Sequence, residues 1–105
     1  DNPIQLYEPT ISMNITDEEG NPVEGVLGAL LLDDNYDDDG YIDGNPQMSE
    51  LLTTEESDIN GHIEIDFMGM VDINVRITLW LNKPQFRQKP ITFMYVGPVE
   101  IGEKE

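Results

Sequence analysis

The sequence contains no cysteine and very little positive charge. Without cysteine, disulfide bonds, thiol chemistry and thiolate metal sites are all excluded. Only five of the 105 residues are Lys or Arg, against 22 Asp or Glu, and the net charge is −17. Binding to nucleic acid or to an anionic membrane surface depends on Lys and Arg. The composition therefore argues against both kinds of partner.

Long hydrophobic segments are also missing. The longest mainly apolar run, residues 26–32, is far too short to cross a bilayer as a helix, and no signal peptide is visible. The chain begins with Asp1 rather than Met. We interpret it as a processed or trimmed product, so the missing signal carries no information about export.

The few positive charges lie at one end of the chain. Residues 1–75 contain 19 of the 22 acidic residues and no Lys or Arg. All five basic residues follow, four of them within 14 positions. We expect this basic group to balance the acidic remainder, within one molecule or between neighbouring molecules. Its members are Arg76, Lys83, Arg87 and Lys89.

Apolar residues that alternate with polar ones predict strands. The alternation is clear at residues 11–16, at 63–67 and, over its longest stretch, at 73–81. Residues 91–96 resemble a last strand, and residues 1–9 a lead-in with a short extended piece. No segment shows the sustained 3.6-residue period of a helix.

Two further segments allow either structure. Residues 23–32 suit a helix or a buried strand, and Gly25 and Gly28 favour the strand because glycine weakens helices. Residues 48–54 suit one helical turn or a strand, and their two threonines favour the strand. About seven short strands separated by turn residues predict an all-β fold, a seven-stranded antiparallel β-sandwich. It would form one domain over residues 1–105, with an acidic insertion at 33–48 and a loose tail at 97–105.

Two turn motifs then carry a family resemblance. DEEGNPVEGV at residues 17–26 follows the first alternating strand, and TTEESDINGHI occupies residues 53–63. Together they resemble the transthyretin-like, carboxypeptidase-regulatory-like β-sandwich domains found in bacterial surface lipoproteins and at the start of outer-membrane transport proteins. The resemblance covers residues 10–67. It implies a transthyretin (prealbumin-like, Ig-like) sandwich in which Gly20 and Pro22 close a first hairpin and Asn60-Gly61 closes a second.

The resemblance also implies a class of function. Such domains serve as binding, adhesion or scaffold modules of secreted or cell-envelope proteins, with a protein or glycan partner and, in lipoproteins, a lipid anchor upstream of Asp1. In this family Gly25 would admit a close approach of backbone. No catalytic residues carry over, because the hydrolytic relatives of transthyretin use a His/Arg site and a C-terminal Tyr-Arg-Gly-Ser motif that this chain lacks. We therefore expect a module that is not an enzyme.

The acidic segment is the candidate metal site. Residues 33–46, DDNYDDDGYIDGNP, contain six carboxylates. From residue 35 they match a calcium loop with oxygen ligands at alternate positions, Gly40 at position 6 for the turn, and a backbone carbonyl at position 7. The candidate Ca²⁺ ligands are Asp33, Asn35, Asp37, Asp39, Tyr41 and Asp43.

The calcium pattern is broken at its end. Position 12 should be a bidentate Glu or Asp, but it is Pro46, so Asp33 or Glu50 would have to replace the missing carboxylate. The alternative interpretation is a solvated acidic hairpin tip, the usual role of a charge run.

His62 and Trp80 complete the candidates. His62, the only His, lies beside carboxylates and could pair with Ser12, Ser49 or Ser57, but a lone surface His is more often inert. Trp80 lies opposite the apolar phase of its strand, near Arg76. It is either an exposed interaction residue or a side chain covered by a loop or by Phe93 or Tyr95.

Overall fold

The structure is a computed structural model that describes residues 3–33 and 50–98. Within these ranges the chain forms seven strands and no helix, as the alternating patterns predict. The strands are β1 (Ile4–Leu6), β2 (Thr10–Asn14), β3 (Leu27–Leu32), β4 (Glu50–Glu56), β5 (His62–Asp66), β6 (Val75–Asn82) and β7 (Lys89–Tyr95).

The strands form two sheets. Five strands make one sheet in the order β1-β7-β6-β3-β4, and β2 and β5 make the other. All pairs are antiparallel except β1 with β7, which run parallel with Ile4 opposite Phe93. The prediction of a purely antiparallel fold is therefore wrong for the larger sheet. A short N-terminal strand can reach that edge in either direction, because no tight turn joins it to β7.

The two sheets face each other over one core. Ile63 and Ile65 of β5 and Ile77 and Leu79 of β6 are at most 1% exposed. Gly28 of β3 lies so close to the smaller sheet that an added Cβ would stand 2.8 Å from Ile63 Cδ1. Such close contact gives dispersion attraction in addition to the loss of water-exposed area. The architecture is thus all-β and like a β-sandwich.

The rings of Phe67 and Tyr95 add an aromatic contact between the sheets. Their centroids are 5.2 Å apart and their planes meet at 86°. This edge-to-face geometry is a preferred arrangement of two aromatic rings. Phe67 follows β5 and Tyr95 ends β7, so the contact joins the smaller sheet to the larger one.

Both predicted hairpins have a different role from the expected one. The Gly20–Pro22 turn is closed by a bridge between Thr16 and Pro22, but β2 before it and β3 after it belong to different sheets. The turn at Asn60-Gly61 likewise joins β4 of the larger sheet to β5 of the smaller. Each turn carries the chain from one sheet to the other.

The strand boundaries differ locally from the predictions. The segment 23–32 contains a strand rather than a helix, as Gly25 and Gly28 favour, but the strand covers only Leu27–Leu32. Residues 50–56 form a strand rather than a helical turn, with an irregularity opposite Leu30/Leu31. The longest predicted strand, residues 73–81, is shorter at its start in the structure. Ile73 precedes β6 and is 51% exposed, so it does not belong to the buried face of that strand.

The described part of the C-terminal tail is short. Val96 N donates a hydrogen bond to Leu6 O at 2.9 Å, and Gly97 is buried against Ile73. In the ranges 3–33 and 50–98, no helix has the length and hydrophobicity needed to cross a membrane.

Candidate functional site

Trp80 lies on the outer face of the five-stranded sheet. The residue is 38% exposed, and its neighbours across the strands are Ala29 on β3 and Pro90 on β7. Phe93 and Tyr95, which were candidates to cover it, are 3% and 8% exposed and belong to the core instead. The prediction that Trp80 points away from the core is therefore confirmed.

The same outer face carries other apolar side chains. Strand alternation and register place them on the side of the sheet that faces away from β2 and β5. Leu27 and Leu51 are 39% and 58% exposed. We call this surface the Trp80 face, and its apolar members are Leu27, Ala29, Leu31, Leu51, Trp80 and Met94.

Arg76 shares the Trp80 face but is not adjacent to Trp80. The two residues are four positions apart on β6, with Thr78 between them on the same face, which corresponds to about 13 Å along the strand. The Arg76 carbonyl accepts a hydrogen bond from Asp33 N at 3.0 Å. Arg76 is half-buried, so it lies at the margin of the exposed apolar surface.

Most of the candidate calcium loop lies outside the described residues. These ligands, which belong to residues 34–49, are Asn35, Asp37, Asp39, Tyr41 and Asp43. Among the described residues, no group of three or more His, Cys, Asp or Glu is placed to hold a metal ion.

The two ends of this loop are described, and they lie side by side. Leu32 at the end of β3 pairs with Glu50 at the start of β4. Asp33 and Glu50 therefore lie close together, one at each end of the acidic loop. Asp33 Oδ2 accepts a hydrogen bond from Thr78 Oγ1 at 2.8 Å. The register therefore brings together the two residues considered as replacements for the missing twelfth ligand.

His62 is on the outer face of the smaller sheet, in contact with polar side chains of β2. Its Nδ1 lies 3.0 Å from Asn14 Oδ1 and its Nε2 lies 3.2 Å from Ser12 Oγ. Glu64 Oε1 is also 3.6 Å from Nε2. An amide oxygen can only accept, so it favours the proton on Nδ1 and leaves Nε2 to accept from the Ser12 hydroxyl.

Ser12 is thus the serine that the fold brings to His62. The hydroxyl–imidazole–amide order is that of a nucleophile with its base and an orienting group. The three side chains lie side by side on a sheet surface, where cross-strand polar pairs of this kind also stabilise the sheet. Ser12 and Asn14 are exposed to water.

Ser57 has a structural role. It is 4% exposed, its Oγ accepts from Val26 N at 2.9 Å, and its hydroxyl donates to Val23 O at 2.8 Å. With both bonds made, the hydroxyl fastens the segment before β3 to the end of β4. The remaining serine candidate, Ser49, lies outside the described residues.

Three of the four residues of the basic group make no direct charge pair within the described ranges. In the part of the chain that the structure describes, Lys83, Arg87 and Lys89 form no ion pair. They lie instead around a cleft between the β6–β7 turn and the segment joining β2 to β3.

Sequence reasoning missed this cleft. Its signal was KPQFRQK at residues 83–89, where three cations and an aromatic ring occur within seven positions. By itself the pattern indicates charge compensation, and only the folded chain shows which apolar side chains lie beside it.

Comparisons of the chain with protein-family models, with curated proteins and with solved structures found no match.

Proposed function

We propose that this chain is a non-catalytic binding module with a transthyretin-like β-sandwich fold, part of a secreted or cell-surface protein. The Trp80 face is its binding surface for a protein or glycan partner. The resemblance of residues 17–26 and 53–63 to transthyretin-like domains supports the class of module and its extracytoplasmic location.

The observation that carries the proposal is the apolar outer phase of β3. Outer faces of antiparallel sheets usually alternate to polar residues, whereas a strand that is apolar on both phases is typical of one covered on both sides. The core covers the inner phase, Gly28 and Leu30, while Leu27 on the outer phase is 39% exposed. Exposed apolar surface of this kind marks interaction sites.

Trp80 is the expected centre of that interaction. Tryptophan is enriched at binding hot spots, and the cross-strand neighbour of Trp80 on β3 is the small Ala29. Around it, Thr78 and Thr92 offer hydroxyl groups at a register position that they share. An aromatic ring with polar neighbours suits either a protein side chain or the apolar face of a sugar.

Trp80 is the only tryptophan, so its fluorescence reports directly on this face. We expect acrylamide to quench it readily in the isolated chain and a bound partner to protect it. In a screen of secreted proteins and glycans, a true partner should bind the Trp80→Ala variant at least tenfold more weakly. The control is Glu64→Gln on the outer face of the other sheet, which should bind normally. Partners that bind both variants equally would contradict the proposal.

Calcium binding by the acidic loop is the second candidate function. The register that places Asp33 and Glu50 at the two ends of the loop favours it, because each can supply a carboxylate in place of Pro46. The loop would then order on Ca²⁺, with the weak affinity of extracellular modules, on the order of 10⁻⁴ to 10⁻³ M. Calcium-dependent thermal stability is its test.

A further inference from the structure

A second surface, separate from the Trp80 face, has the features of a small ligand site. It is a cleft of about 150 Å³ at the end of the molecule where the β6–β7 turn meets the segment between β2 and β3. Val26 and Leu81, which are 5% and 8% exposed, form part of its wall. The remaining apolar lining comes from Ile15, Val23 and Phe86.

The charge around this cleft is the reverse of the charge on the chain. Every charged residue that lines it is a cation, namely Lys83, Arg87 and Lys89, although the chain as a whole has a net charge of −17. Within the described ranges none of the three forms an ion pair. Three unpaired cations beside one apolar wall create a local positive potential that attracts an anion.

A tight turn positions two of the residues that line the cleft, Lys83 and Phe86. Lys83 to Phe86 form a turn in which Phe86 N donates to Lys83 O at 3.0 Å, with Pro84 second and Gln85 third at φ 76°. Positive φ at the third position is the requirement of a type II turn, which glycine usually meets. The turn leaves Phe86 49% exposed at the cleft.

Gly25 makes room for one of the cations. A Cβ added to Gly25 would stand 3.2 Å from Lys83 Nζ, so the ammonium group lies against bare backbone instead of reaching a carboxylate. Backbone of another segment also lies close to Gly25, as expected, because Gly25 N donates to Ser57 O at 3.0 Å.

We infer that the cleft binds a monocarboxylate whose apolar body is about the size of one six-membered ring. The volume sets the size, since cavities of roughly 150 Å³ accommodate benzene. The apolar wall would take the body, and the three cations would take the carboxylate through charge-assisted hydrogen bonds. This inference does not rest on the proposed function, because none of the apolar members of the Trp80 face lines the cleft.

The acidic side of the opening limits which anions fit. A second cleft of about 490 Å³ shares Phe86 and Arg87 with the first, and Asp17, Glu18 and Glu19 also line it. These carboxylates repel a second negative charge on the ligand. The site should therefore prefer benzoate to a ring of the same size that carries two carboxylates, such as phthalate.

The test is a titration of the ¹⁵N-labelled chain followed by ¹H–¹⁵N correlation spectra at constant ionic strength. Benzoate is the probe, and benzamide is its neutral isostere. We expect benzoate to bind with a Kd on the order of 1 mM, as suits a ligand of so few atoms, and to shift the amides that surround the cleft. Benzamide and phthalate should bind at least fivefold more weakly. Equal binding of benzoate and benzamide, or shifts spread over the molecule, would overturn the inference.

Charge variants separate a specific site from general attraction. Arg87→Gln and Lys89→Gln should each weaken benzoate binding about fivefold, because each removes a charged hydrogen-bond donor. Arg76→Gln removes the same charge outside the cleft and should leave the Kd unchanged. Phe86→Ala should weaken benzoate and benzamide alike. If Arg76→Gln weakened binding as much as Arg87→Gln, the attraction would be non-specific and the site would be rejected.

Discussion

Asp17 and Asp58 hold two turns of the same design. In each, Oδ1 accepts backbone N–H groups from the residues two and four positions later, at 2.9 to 3.0 Å. In each, the Asp N–H donates to the carbonyl four positions on, and a glycine three positions on donates to the Asp carbonyl. Those glycines, Gly20 and Gly61, have φ of 88° and 76°. These are three-residue loops with a left-handed glycine, the common alternative to a two-residue Asn-Gly turn.

Backbone hydrogen bonds also connect the two turns through Ile15, the residue two positions before Asp17. Ile15 N donates to Gly61 O at 2.7 Å, and Val23 N donates to Ile15 O at 3.1 Å. The backbone just before the first turn is therefore hydrogen-bonded to the second. Both turns move the chain between the sheets at one end of the molecule, where they close the core.

The matched glycines allow a direct test of this packing. Gly20→Ala meets no heavy atom within 4 Å, so it should cost only the penalty of a left-handed alanine, about 1 to 2 kcal/mol. Gly61→Ala pays the same penalty and in addition drives its Cβ into Ile15 O. Urea unfolding should show Gly61→Ala to be less stable than Gly20→Ala by at least about 2 kcal/mol. Equal losses would mean that the second turn is not packed against residue 15.

Acid should weaken the Asp17 turn. The backbone N–H of Asn21, and secondarily that of Glu19, hydrogen-bonds the carboxylate and lowers the pKa of Asp17 below its usual 3.8, although burial opposes the shift. The unfolded chain therefore takes up this proton at a higher pH than the folded chain does. The stabilisation is complete well above pH 4 and is lost as the pH falls through the folded-state pKa.

Unfolding free energies between pH 7 and pH 2.5 can check this direction. The stability advantage of the native chain over Asp17→Asn should be constant near neutrality and should shrink below about pH 4. Glu18→Gln removes one charge from the same turn without removing these hydrogen bonds, and so controls for net charge. An advantage over Asp17→Asn that grew with acid would contradict the assignment.

Ser57→Ala should destabilise the fold by about 1 to 3 kcal/mol, because it leaves the Val26 N–H without its Ser57 acceptor and removes the donor to Val23 O in a buried place. The matched control is Ser12→Ala, since the Ser12 hydroxyl is exposed and water can replace its partner. We expect the control to stay within about 0.5 kcal/mol of the native chain in urea unfolding. Similar losses in both variants would argue against the buried role of Ser57.

Calcium should raise the melting temperature if the acidic loop binds it. With a Kd of about 0.5 mM, 5 mM Ca²⁺ would stabilise the folded chain by about 1.4 kcal/mol, which corresponds to several degrees. Mg²⁺ at the same concentration is the control, because any divalent cation screens a chain of charge −17. Asp39→Asn should reduce the calcium effect. Equal shifts with both ions would leave the acidic hairpin tip as the correct interpretation.

Periodicity predicted much of the fold. Alternating residues at 11–16 and 63–67 correspond to β2 and β5, and the inward phase of β6 was correctly read from Ile77 and Leu79. The outward position of Trp80 followed from the same two-residue period. Such predictions succeed because the side-chain period of a strand is a local property of the backbone.

Partner strands could not be predicted in this way. The turn at Gly20 was correctly recognised, yet nothing local shows that the strands on either side of it join different sheets. The parallel contact of β1 with β7 joins residues almost 90 positions apart. Pairing of this kind depends on which apolar faces bury most area together, and that is decided by the whole chain.

The sequence by itself determined an all-β chain, the two aspartate–glycine turns and the separation of acidic from basic residues. These features depend only on the residue types at neighbouring positions, so they can be recognised without the fold. Only the tertiary structure decided what surrounds them. It left the apolar outer phase of β3 beside Trp80 exposed within the described residues, and it brought three cations to one apolar cleft. Both surfaces combine segments distant along the chain, and their proximity is a consequence of packing.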